Sequence, residues 1–96
     1  MKKILLDNIE YQLLDNVRDA FVLDDIKNIF TDYFYEYDYV VGDYAYSKLR
    51  LKGFYESTSK QVKDFNNINN LDNYIKNQCA YNCQYFVLKR ISKKTC

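Results

Sequence analysis

Tyr44-Ala45-Tyr46-Ser47-Lys48-Leu49-Arg50-Leu51-Lys52-Gly53-Phe54-Tyr55 is the stretch on which the fold turns. In an extended chain successive side chains point to opposite faces. Leu49 and Leu51 then share one face, and Lys48, Arg50 and Lys52 share the other, with Tyr44, Tyr46 and Phe54 in the cations' parity if no bulge intervenes. Such alternation marks a strand with one face on a core and the other in water. It predicts a strand over about 47–55, in which Gly53 signals a bulge or a close backbone approach.

Working outward, Tyr37 to Val41 is aromatic and β-branched and reads as a further strand, ended by the turn-favouring pair Gly42-Asp43. Upstream, Ile26, Ile29, Phe30, Tyr33 and Phe34 recur at helical spacing, and Asp24 and Asp25 suit a helix N-terminus, which predicts a helix over about 24–35. Two short strands, 4–6 and 9–14, flank Asp7-Asn8. Downstream, Asn70 is placed to cap a helix over about 71–81, whose face is Leu71, Tyr74, Ile75, Gln78 and Cys79. A last strand falls at about 84–91, and residues 56–70 show no period. The order β-β-α-β-β-α-β predicts an α+β domain over 1–96 with a mixed or antiparallel sheet of four to five strands and two helices. Merging the first two strands gives the order of ferredoxin-like domains, which makes that arrangement one to test.

Composition narrows the function classes. The chain has 96 residues, 48% of them hydrophobic, enough for one modest core. Eleven Tyr and six Phe stand beside no Trp, Pro or His, a bias that an AT-rich genome accounts for. No apolar run approaches the roughly 20 residues of a membrane span, and the opening Met1-Lys2-Lys3-Ile4-Leu5-Leu6 meets Asp7 and Glu10 too soon for a signal peptide. A cytoplasmic protein with no membrane association is expected. Residues 1–43 hold ten acids against four bases, and residues 44–96 ten bases against three acids. Either the basic half meets an anionic partner or the halves neutralise each other across the fold.

Sites for chemistry are scarce. Without His there is no imidazole acid–base pair, and two glycines make no phosphate-cradling loop. Cys79, Cys83 and Cys96 are too few and too loosely spaced for a closed metal site. No enzyme, cofactor or metal is expected. Asp43, beside Gly42, serves a turn, a ligand site or an ion pair with Arg50. The basic face of Lys48, Arg50 and Lys52, with Tyr46 and Phe54 as stacking platforms, is what a single-stranded nucleic acid needs. Lys52-Gly53-Phe54 also echoes the opening of an RNA-recognition motif, an echo that fails at Tyr55. The same alternation is equally that of any amphipathic strand.

Asp38-Tyr39-Val40-Val41-Gly42-Asp43-Tyr44-Ala45-Tyr46, continued by Leu49-Arg50-Leu51-Lys52-Gly53-Phe54-Tyr55, resembles the signature of the YutD-like family, small uncharacterised proteins of low-GC Gram-positive bacteria. The closing Cys79-Ala80-Tyr81-Asn82-Cys83-Gln84-Tyr85-Phe86-Val87-Leu88-Lys89 and the opening Tyr11-Gln12-Leu13-Leu14 resemble it too. The chain departs at Tyr44 and Ala45, where the family often has Trp and Gly. The resemblance implies a compact α+β fold and carries no activity or residue role.

The functional expectation is a non-enzymatic binding module. RNA or a ribonucleoprotein surface, met by Lys48, Arg50, Lys52, Tyr46 and Phe54, is the first partner. Another protein, met by the acidic, tyrosine-rich surface of Tyr33, Tyr35, Tyr37 and Tyr39, is the alternative.

Overall fold

The computed structural model describes residues 2–45, 48–78 and 84–91. Its elements are β1 (Lys2–Leu6), β2 (Ile9–Val17), α1 (Leu23–Ile29), β3 (Tyr39–Ala45), β4 (Lys48–Phe54), α2 (Leu71–Gln78) and β5 (Tyr85–Arg90). Single 3₁₀ turns lie at Asp32–Phe34, Asp64–Asn66 and Ile68–Asn70. The strands form one five-stranded sheet in the order β1-β2-β5-β3-β4, each pair of neighbours antiparallel. This is the α+β class and the element order that the sequence predicts. The ferredoxin-like arrangement is not adopted: its split βαβ units require parallel strands, and this sheet has none between described neighbours.

Local sequence explains most of the elements. Asp7 and Asn8 take φ of 51° and 68°, the left-handed pair of a two-residue hairpin turn, and join β1 to β2. The first helix is shorter than its periodicity suggests, because the chain turns extended at Phe30. The pattern still places Ile26, Phe30 and Phe34 in the core, while Ile29 and Tyr33 remain exposed. Asn67 caps the Ile68–Asn70 turn that leads into α2: its side chain accepts from the Asn69 amide at 2.9 Å.

The pair Gly42-Asp43 does not end β3. Both residues sit inside it, Gly42 opposite Leu51 and Asp43 opposite Arg50. A Cβ on Gly42 would lie 2.1 Å from the Phe86 ring, so the glycine makes room for an aromatic ring laid on the strand. Gly53 does the same for Tyr37, with 2.2 Å to that ring. Neither site is a bulge, since the β3–β4 register is unbroken; the irregularity falls in β2, between Leu13 and Asp15.

Two layers cover the sheet. On one face α1 and the Asp32–Phe34 turn close over Ile4, Leu6, Ile9, Tyr11, Val40, Phe86 and Leu88. On the other, Ile68, Leu71, Tyr74 and Ile75 pack on Val41, Phe54 and Val87. That second layer reaches Lys52 and leaves Lys48 and Arg50 of β4 exposed.

Candidate functional site

Strand alternation puts Asp43 of β3 and Lys48, Arg50, Lys52 and Phe54 of β4 on the α2 side of the sheet. Their environments differ sharply. Arg50 grips Asp43 in a two-point pair, Nε to Oδ1 at 3.1 Å and Nη2 to Oδ2 at 2.9 Å. The Asp43 side chain is 1% exposed and that of Arg50 is 43% exposed. The Tyr74 hydroxyl also donates to Asp43 Oδ2, at 3.4 Å. Burial, and then the Asp43 charge, raises the Tyr74 pKa. Asp43 is thus a structural anion held by a guanidinium and a phenol. The second ion pair, Arg90 with Asp38 at 3.1 Å, likewise joins the basic half of the chain to the acidic half.

Lys52 is half-buried, and its Nζ stands 5.4 Å from the centroids of Phe54 and Phe65 and 5.5 Å from that of Tyr74. Three ring faces around one ammonium stabilise it where it lies. Phe54 is buried, with Tyr74 edge-on at 5.5 Å. As a stacking platform for a base Phe54 is therefore unavailable, because α2 covers the ring. Lys48 is exposed. Tyr46 and the three cysteines lie outside the described residues.

Beside these groups runs an open groove of about 1010 Å³. Arg50, Leu51 and Lys52 line it from β4, and Asp64, Phe65 and Tyr74 from the opposite wall. Phe65 is 66% exposed. Sequence reasoning missed this wall: Phe65 is a lone aromatic in a polar, aperiodic segment, and nothing local ties it to a strand so far upstream.

The backbone of β4 completes the geometry. Tyr44 N donates to Gln84 O and Arg90 N to Asp38 O, so the even-numbered residues of β3 face β5 and the odd-numbered ones face β4. Alternation then turns the N–H and C=O of Leu49, Leu51 and Gly53 away from β3, towards the outer edge. Tyr55, next in that series, bonds outward to Asn66 O at 2.7 Å and Ile68 N at 2.9 Å, in a parallel bridge to Asn67. Among the described residues no segment other than that bridge pairs along the outer edge, the side of β4 away from β3.

The tyrosine-rich region is mostly turned inward. Tyr35 donates to Asp7 at 2.8 Å, Tyr37 to Tyr33 at 3.0 Å, Tyr39 to Glu56 at 3.3 Å and Tyr55 to Glu36 at 2.8 Å. Burial first, then the neighbouring Glu36, pushes the Tyr55 phenol up to about 12. Of this group Tyr33 is the one well exposed, at 61%. Among the described residues no cluster of His, Cys, Asp and Glu could hold a metal ion, and no helix is long and apolar enough to cross a membrane.

Comparison with known proteins gives concordant results. Residues 5–89 match the family model YutD-like, described as "Putative antitoxin YutD-like". The chain is 42% identical over 90 residues to "Putative antitoxin YutD" of Bacillus subtilis strain 168, covering 94% of this chain and 99% of that one. It is similar in structure to the protein yutD from B. subtilis, solved by solution NMR, with a TM-score of 0.81 and 40% identity over 100% of this chain and 87% of the other.

Proposed function

We propose, from the premise that the chain belongs to the YutD-like family, that it is a non-enzymatic module whose partner is another protein, held at the outer edge of β4. One observation carries this reading. Outward-facing main-chain groups of an edge strand run beside a groove of about 1010 Å³ with an exposed aromatic, Phe65, on its wall. Edge strands recruit extended polypeptide by main-chain hydrogen bonding, with flanking pockets supplying selectivity. An antitoxin acts by neutralising a partner. Where it does so by contact, a binding surface is all the machinery it needs, and the name of the B. subtilis relative agrees with that.

RNA or a ribonucleoprotein as the partner of Lys48, Arg50 and Lys52 has less support. Nucleic-acid strands are held by cations that reach phosphates and by rings that stack on bases. Here Arg50 neutralises Asp43, Lys52 lies among three rings, and Phe54 is covered. The acidic, tyrosine-rich surface offers mainly Tyr33. Photo-crosslinking separates these readings. A benzophenone-bearing residue replaces Phe65, and in a control Val22 on the α1 side, in B. subtilis cells lacking their own relative. A nuclease-resistant protein adduct at position 65 and not at 22 is expected. An RNA-containing adduct, or equal adducts at both positions, overturns the proposal.

A further inference from the structure

The geometry points to a partner segment of defined chemistry: an extended stretch that alternates acidic and apolar residues and pairs with β4 as a sixth strand. This inference rests on the protein-binding reading above and specifies its ligand. A strand laid against Leu49, Leu51 and Gly53 places its own side chains in two rows. The row on the α2 side faces Lys48, Arg50 and Lys52, and carboxylates are the cross-strand partners those positions favour. The row on the α1 side lies beside Leu49 and Leu51, which pack on the core yet stay half-exposed. Aliphatic residues there extend the core outward past the edge.

Charge also decides against a second copy. Self-pairing along β4 sets a row of cations against a row of cations, and lysines on an edge strand discourage such pairing. With Arg50 paired to Asp43 and Lys52 held among three rings, exposed Lys48 is the residue whose charge the incoming acids read most directly.

The test uses the whole chain and a capped decapeptide of alternating Glu and Val. Amide hydrogen exchange is followed by NMR. Saturating peptide is expected to slow exchange at Leu49, Leu51 and Gly53 at least tenfold. Lys48→Glu and Lys52→Gln together are expected to weaken binding at least tenfold, with the free protein's spectrum otherwise retained. A Lys-Val peptide and a fully N-methylated Glu-Val peptide are expected not to bind, the first for its charge and the second for its missing donors. Unchanged exchange at those amides, while Phe65 still crosslinks to protein, overturns the strand and leaves the protein-binding reading standing. Equal binding of the Glu-Val and Lys-Val peptides overturns the acidic chemistry. Equal protection by decauridylate RNA overturns both.

Discussion

On the α1 side of the sheet β3 and β5 present Val40, Gly42, Phe86 and Leu88; on the α2 side β3 and β4 present Val41, Asp43, Arg50 and Lys52. The first face is held by close packing, with the Phe86 ring laid where a glycine leaves no Cβ. The second is held partly by charge, a buried carboxylate and an ammonium among rings, and it is the face beside the groove. Packing tolerates no added atom, whereas a half-exposed ion pair can relax into water. Substitutions should therefore act steeply on the first face and shallowly on the second.

The largest effect is expected for Gly42→Ala. Its Cβ would lie 2.1 Å from a fully buried ring, and overpacking of this kind costs about 3 kcal/mol. Thermal unfolding should shift down by roughly 15 °C. Gly53→Ala meets Tyr37, which is only half-buried and can give way, so its cost should be smaller. Equal costs would break the contrast between a sealed and a yielding contact. On the second face, Arg50→Ala removes the guanidinium from the buried Asp43 and should cost about 2 kcal/mol, below the range for fully buried pairs because Arg50 is 43% exposed. Asp43→Ala should cost less, since the freed guanidinium can turn to solvent. Denaturant titration of the two variants orders them, and the reverse order would mean that Asp43, not Arg50, is readily rehydrated.

Alkaline pH sharpens the comparison further. Burial raises Tyr11 from 10.0 to about 12, and Tyr55 to the same value. The fold favours both neutral phenols, so each contributes stability in full below pH 10, and loses it as pH climbs to 12. Unfolding free energy should fall across that window, and Tyr11→Phe should flatten the fall. Tyr11→Phe is also expected to leave neutral-pH stability unchanged or raise it by about 0.5 kcal/mol, because the Tyr11 hydroxyl is buried with no hydrogen-bond partner among the described residues. A loss above about 1 kcal/mol would show that the hydroxyl is satisfied in solution. Lys48→Ala, on exposed backbone, should move stability by less than about 0.5 kcal/mol.

What could be read in advance follows physical range. The alternation of Leu49 and Leu51 with Lys48, Arg50 and Lys52 is a property of adjacent residues, so it was legible, as was the Asp7-Asn8 turn. Gly42-Asp43 misled because its local preference is for turns, while the partners that keep it in a strand, Phe86 and Arg50, come from other strands. The parity of Phe54 was legible, but its burial depends on where α2 lands. The groove wall at Phe65 depends on a segment without any period, whose path is set by its own bonds: Lys63 N to Asn66 Oδ1 at 2.6 Å, and Asn70 Nδ2 to the Asp64 carbonyl at 3.0 Å.

The bridge between Tyr55 and Asn67 has a consequence of its own. An edge that is vacant from end to end lets a guest chain slip by two residues with little change in fit. Here one terminus of the track is plugged, so a guest sliding along it comes to rest against the plug. For a guest strand paired as proposed, that obstacle in the host chain blocks sliding in one direction and sets how far the guest can run.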